Sequence, residues 1–116
     1  MADLDAIFKA YDIRGTYPDQ IDADTARRCG AAFASLMVEE DTSITQVVVG
    51  RDMRPSGVEL VAAFTEGGVS QGLDVISLGL ASPDMVYFAA GVLDAPGAVF
   101  TASHNPAQYN GIKLCR

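Results

Sequence analysis

Thirteen residues near the C-terminal end of the sequence, 101-TASHNPAQYNGIK-113, collect several groups suited to phosphate chemistry. Ser103 offers a hydroxyl, His104, the only histidine, an imidazole, and Lys113 an ammonium, with no acidic residue among them. A serine hydroxyl is a poor nucleophile unless a base activates it or it already carries the group to be transferred. His104 is adjacent in sequence, so its side chain need not face Ser103, and the GxSxG elbow is absent, which sets a serine hydrolase aside. Lys113 follows across a stretch tightened by Asn105-Pro106 and Asn110-Gly111. A hairpin-like return would bring its ammonium beside the serine as a phosphate partner or proton carrier. These residues alone leave a plainer reading open, with Ser103 bonded to the local backbone of a turn and Lys113 on a solvated strand.

Three arginines extend the pattern. Arg14, Arg51 and Arg54 each follow an expected strand or precede an expected helix start. Backbone donors and guanidinium groups bind phosphate well in such places. The alternative is ordinary surface charge, with Asp12 and Asp52 simply orienting their arginine neighbours. Neither GxGxxG nor GxxxxGK[ST] occurs, so a nucleotide cradle is unsupported. Read from the residues alone, the chain is an anion-binding domain.

The elements that must position these groups alternate between strand and helix. Residues 7–13 read as a short strand leading into Arg14-Gly15, followed by a turn around Tyr17-Pro18-Asp19. Over 22–40 apolar residues recur at three- and four-residue steps, which predicts a helix capped by Asp22 or Asp24. The β-branched run over 45–49 predicts a buried strand ending in Gly50-Arg51-Asp52. A second helix is expected from Pro55 to about Gln71, with Gly72 as its stop. A strand over 74–78, a helix from Ser82-Pro83 to Ala90, a strand over 98–101 and a last strand from Ile112 complete the pattern. This order implies an α/β layered domain with a mixed, mainly four-stranded sheet between helices. Ligands of such sheets collect where loops leave the carboxyl ends of strands, and both Gly50-Arg51 and Thr101-Ser103 lie at such ends.

Composition narrows the classes of function. The 116 residues make one domain, 49% hydrophobic and 20% charged, as in a soluble globular protein. A formal net charge of -7 argues against a nucleic-acid surface, where affinity comes from Lys and Arg on phosphates. No acidic residue follows Asp94, whereas His104, Lys113 and Arg116 do, so the C-terminal quarter is locally basic. Cys29 and Cys115 lack metal-site spacing and are expected to be buried, reduced thiols. The acidic N-terminus and the absence of a long apolar run indicate neither signal peptide nor membrane span, and the expectation is a cytoplasmic protein. The sequence stops within or just after an expected strand, as a piece of a longer polypeptide would.

Three stretches, FKAYDIRG (8–15), VVVGRDMRPSG (47–57) and TASHNPAQYNGIK (101–113), together resemble the N-terminal domain of the α-D-phosphohexomutases. The resemblance covers almost the whole chain, and TASHNP followed by YNGIK is its most specific part. Within the family the pattern is most similar to the phosphomannomutase/phosphoglucomutase branch. The phosphoglucosamine mutases, which usually show a GTDGIRG-like start and a DNGIK-like end, come second.

The resemblance implies that residues 1–116 are the catalytic-serine domain of an enzyme interconverting hexose 1-phosphate and hexose 6-phosphate. Ser103 would be a phosphoserine that passes its phosphoryl group to the sugar, with hexose 1,6-bisphosphate as intermediate and activator. His104, Lys113 and Arg14 would line the reaction centre, Lys113 in proton transfer and charge stabilisation. Thr101, Asn105, Arg51 and Asp52 would support phosphate and site. Mg2+ would be bound through the phosphate of Ser103, with aspartate ligands from a loop that these residues do not contain. The implied partners are a hexose phosphate and three further domains of the same polypeptide. Self-association of the domain alone is also expected, because surface normally covered by those domains would be bare. A non-catalytic phosphosugar-binding domain and a structural interaction module are the alternatives.

Overall fold

The protein's computed structural model describes residues 8–9, 12–17, 19–102 and 109–115. Six strands form one sheet: β1 (Phe8–Lys9), β2 (Asp12–Thr16), β3 (Gln46–Arg51), β4 (Asp74–Leu80), β5 (Gly97–Phe100) and β6 (Tyr109–Cys115), in the order β1-β2-β6-β5-β3-β4. β3 runs parallel to both β4 and β5, while β6 is antiparallel to β5 and to β2. The expected four-stranded unit is therefore present as β4-β3-β5-β6, extended at one side by β2 and β1. Arg14 and Gly15, expected at the end of a strand and its turn, lie inside β2, where they pair with Gly111 and Asn110. The outer edge of β6 needed a partner, and that ladder overrides the weak strand preference of glycine.

Each helix begins and ends for local reasons. α1 (Ala23–Glu40) starts where the Asp22 carboxylate accepts the Thr25 N–H at 2.8 Å. Asp24, the other candidate cap, instead pairs with Arg27 and Arg28 in the first turns. α2 (Gly57–Ser70) starts after Ser56, two residues later than Pro55 predicts, and Gly72 at φ +90° turns the chain away. α3 (Pro83–Leu93) is capped by Ser82, whose hydroxyl accepts the Met85 N–H at 3.2 Å.

Strand β3 is apolar and buried on both faces, as a central parallel strand must be. On one face Val47, Val49, Ala98, Phe100 and Ile112 meet Phe33 and Met37 of α1 and Leu60 and Phe64 of α2. The Phe64 ring stands edge-on to Phe100 at 5.3 Å. α1 and α2 touch backbone to backbone: a Cβ on Gly30 would lie 2.1 Å from the Phe64 carbonyl oxygen, and one on Gly67 2.0 Å from that of Arg27. On the other face α3 buries Val86 and Ala90 and leaves Met85, Phe88 and Val92 exposed. Opposite the step from Val49 to Gly50, β4 carries one extra residue, Leu78, followed by Gly79 at φ +68°.

Cys29 is buried and Cys115 only partly so, which corrects the expectation of two buried thiols. Cys115 ends β6 with its Sγ beside Gly97, on the wall of an open cleft. Among the described residues no helix is long and apolar enough to cross a membrane.

Candidate functional site

The ends of β3 and β5 and the start of β6 meet at one edge of the sheet. Because β5 and β6 are antiparallel, with Phe100 opposite Ile112 and Val99 opposite Lys113, the segment joining them begins and ends at that edge. Thr101, 5% exposed, extends the ladder by donating its N–H to the Gly111 carbonyl at 3.0 Å. Ser103, His104 and Asn105 lie in the joining segment, outside the described residues.

The remaining expected site residues fall around these strand ends. Lys113 is half-buried and sits opposite Val99 on one side and Asp12 on the other. It is two residues deeper than the Thr101–Gly111 rung, about 7 Å along the strand, a distance a lysine stem can span. Arg14 pairs with Gly111 on the neighbouring strand, so the backbones of Arg14 and Lys113 come within two residues of each other along β6.

Arg51 and Asp52 occupy the turn after β3. The Asp52 N–H donates to the Phe100 carbonyl at 3.0 Å, tying this turn to the end of β5. Its carboxylate accepts the Arg54 N–H at 3.1 Å and Arg54 Nε at 3.0 Å. Arg51 stays closer to home: its Nη1 lies 3.5 Å from the Asp52 carbonyl, and its side chain packs beside Gly57. Of the two, Asp52 is the one whose hydrogen bonds organise the turn.

Arg54, for which the sequence left phosphate binding and plain surface charge both open, is a buried member of this cluster at 8% exposure. It also donates Nη1 to the Tyr109 carbonyl at 3.3 Å, at the start of β6. Asn110, expected with Gly111 in a turn before a strand starting at Ile112, lies instead inside β6, and Ser56 was not singled out. Asn110 is fully buried and donates Nδ2 to Ser56 Oγ at 2.8 Å, while its Oδ1 accepts the Gly111 N–H at 2.8 Å. Composition gave no signal for this pair, because each is an ordinary turn residue until a contact across 54 positions joins them. The available signal was polar residues inside otherwise matching motifs.

A separate cleft of about 740 Å³ opens at the opposite end of the sheet, lined by Asp41, Ser43, Tyr87, Asp94 and Cys115 among others. It contains none of the expected site residues. Its Asp41 carboxyl is held below the usual range by hydrogen bonds from Ser43. The strand-end cluster is the better candidate, since Asp52 and Arg54 gather at the carboxyl ends of the parallel strands β3 and β5, where ligands of such sheets collect. Among the described residues no group of three or more His, Cys, Asp or Glu side chains could hold a metal ion.

Comparison with known proteins agrees with the motifs. A family model described as phosphoglucomutase/phosphomannomutase, alpha/beta/alpha domain I, matches residues 5–116. The chain is 44% identical over 110 residues to a protein of Xanthomonas campestris named phosphohexose mutases, covering 94% of this chain and 23% of that one. A Vibrio cholerae phosphomannomutase is 39% identical over 110 residues, covering 94% and 24%. A crystal structure of a phosphoglucomutase/phosphomannomutase family protein from Burkholderia thailandensis superposes with a TM-score of 0.89 at 40% identity, covering 99% of this chain and 26% of that one. The chain spans about a quarter of the length of these proteins.

Proposed function

The chain belongs to the phosphoglucomutase/phosphomannomutase family as its domain I, and from that premise we propose that it supplies the phosphoserine of a mutase interconverting hexose 1-phosphate and hexose 6-phosphate. The observation that supports this reading is that Thr101, just after β5, and Tyr109, the first residue of β6, lie at the edge where Asp52 and Arg54 converge.

Ser103 in its phosphorylated form transfers its phosphoryl group to the free sugar hydroxyl of a hexose 1-phosphate. The serine–phosphate bond breaks, the bond to the sugar oxygen forms, and hexose 1,6-bisphosphate results. After the sugar turns over, the serine oxygen takes the phosphoryl group from the other position and hexose 6-phosphate leaves. The weak nucleophilicity of a free hydroxyl matters less when the resting protein already carries the phosphate. Charge spreads over the oxygens of the transferring group, so catalysis rests on fixed cations and donors. Lys113 is the candidate for moving the proton and meeting that charge, with Arg14 and His104 beside it. Thr101, Asn105, Arg51 and Asp52 shape and support the phosphate site.

This chain's share of a magnesium site is Ser103 through its phosphate. Carboxylate ligands from other domains of a longer polypeptide would complete that site and balance the charge of the phosphate. Those further domains are the expected partners, along with the hexose phosphate. They also complete the sugar pocket, so residues 1–116 alone should show no appreciable turnover. Surface left bare by their absence should make the isolated domain self-associate, which a monomeric light-scattering mass at high concentration would contradict.

Peptide mass spectrometry across residues 98–116 tests the central step. The longer polypeptide, treated with hexose 1,6-bisphosphate, should gain one phosphate on Ser103 and interconvert hexose phosphates in a coupled assay, and Ser103→Ala should abolish both. Activity that survives Ser103→Ala, or a phosphate found only on another residue, would refute the reading.

A further inference from the structure

We infer that the buried Ser56–Asn110 hydrogen bond and the Arg54–Asp52 pair form a positioning clasp that fixes both ends of the segment carrying Ser103. The inference rests on the mutase reading for its catalytic consequence and on the described residues for its geometry.

Ser56 stands at the position before α2, where a serine ordinarily uses its hydroxyl to cap the helix. It does not do so here. Its Oγ accepts Asn110 Nδ2 at 2.8 Å, and the two residues are 9% and 0% exposed. A helix cap has been given up for a contact to the start of β6. Asn110 in turn holds the Gly111 N–H with Oδ1 at 2.8 Å, and the Gly111 carbonyl accepts the Thr101 N–H at 3.0 Å. Thus Ser56, Asn110, Gly111 and Thr101 form one chain of hydrogen bonds that crosses from α2 through β6 to the residue after β5.

The second arm runs in parallel. Asp52 donates its N–H to Phe100, the last residue of β5, and its carboxylate holds Arg54, which reaches the carbonyl of Tyr109, the first residue of β6. The short turn 51–56 therefore grips both stems of the segment 103–108, the β5 stem through backbone and the β6 stem through side chains. Apolar packing fixes only which face of a strand is inward. A buried polar network is satisfied in one arrangement, and so fixes register and rotation as well.

Phosphoryl transfer requires an in-line approach between phosphoserine and sugar oxygen, and a displacement of about 1 Å can cost on the order of a hundredfold in rate. Ser56 and Asn110 act only through the backbone that carries Ser103, so they are positioning residues. Their substitution should change the chemical step while leaving ground-state binding of the sugar in place.

Amide hydrogen exchange on the 116-residue chain tests the geometry without reference to activity. In Ser56→Ala, protection of the Thr101, Gly111 and Asp52 amides should fall by roughly tenfold or more, while Val47–Val49 in β3 stay within about twofold. Ser56→Thr, which keeps the hydroxyl, should restore protection. Uniform loss across the chain, or unchanged protection at Thr101 and Gly111, overturns the clasp. In the longer polypeptide, kcat per phosphorylated Ser103 should fall on the order of ten- to a hundredfold in Ser56→Ala with KM nearly unchanged, and recover in Ser56→Thr. An unchanged kcat per phosphoserine with a lower Tm overturns the positioning role. If Ser56→Ala does not fold, Arg54→Lys, which loses the fork to Tyr109 while keeping the charge beside Asp52, gives the same two readouts. A wild-type polypeptide with no hexose-phosphate interconversion would overturn the mutase reading, and the exchange result would then decide the clasp alone.

Discussion

Two adjacent glycines in α2 should respond to the same substitution with opposite sign. Alanine in a helix interior is favoured over glycine by about 1 kcal/mol, so Gly→Ala stabilises wherever the methyl group has room. At Gly68 the nearest atom to an added Cβ is Val75 Cγ2 at 3.4 Å, an ordinary contact. Gly68→Ala should therefore gain up to about 1 kcal/mol. At Gly67 the same methyl would lie 2.0 Å from the Arg27 carbonyl oxygen and 2.8 Å from the Ala31 nitrogen. Both are backbone atoms of α1, so no rotamer change relieves the clash, and the helices must separate by more than 1 Å. Separation strips contacts from Phe33 and Phe64, whose ring centroids are 6.4 Å apart across this crossing. Overpacking of that kind costs about 1–3 kcal/mol or more, and subtracting the propensity gain leaves a net loss near 2 kcal/mol at the upper end. Urea unfolding followed by circular dichroism reads both variants on the same chain. In a domain of this size the pair should bracket the wild-type Tm by several degrees. A Gly67→Ala protein as stable as Gly68→Ala would refute the reasoning, because it would mean the helices move apart at no cost.

Four further outcomes follow from the geometry. Asp22→Ala should cost about 1 kcal/mol by removing the α1 cap. The Thr25 backbone N–H holds the Asp22 carboxyl below its ordinary value, so its ionic contribution is present above pH ~4 and is lost as pH falls through the folded value; Asp22→Asn should flatten that acid limb of a stability–pH profile. Burial pushes the Cys29 thiol up to about 11, so a thiol reagent at neutral pH should label the partly exposed Cys115 first and reach Cys29 only on unfolding; mass mapping of the labelled peptides checks the order. Phe64→Ala, which empties a fully buried position between Phe33 and Phe100, should cost about 3–5 kcal/mol by the same denaturation assay.

Local chemistry carried most of the architecture into the sequence. The β-branched run over 45–49 marked β3, Asp22 and Ser82 marked helix starts, and Gly72 marked a stop, because each signal acts within a few residues. Arg14-Gly15 was misread as leaving its strand because a glycine weakens any local strand signal, and only the distant β6 supplies the pairing that holds it. The site divides in the same way. That Lys113 returns on a strand beside β5 was expected from local sequence, whereas the burial of Arg54 and the Ser56–Asn110 bond arise from contacts more than fifty residues apart. Periodicity and propensity carry no trace of such pairs.

The extra residue in β4 has a consequence for how this chain fails. β4 is the last strand of the sheet, so among the described residues its outer backbone groups lack a neighbouring strand. An uninterrupted edge of that kind, carrying Leu78 and Leu80, would template another chain strand by strand. Leu78 and the left-handed Gly79 break the even spacing of donors and acceptors midway along that edge. An incoming strand could match only one side of the break, too short a run to propagate. The apolar outer surface of α3 has no such interruption, so concentrated protein should clump through side chains into amorphous precipitate and leave thioflavin dyes dark.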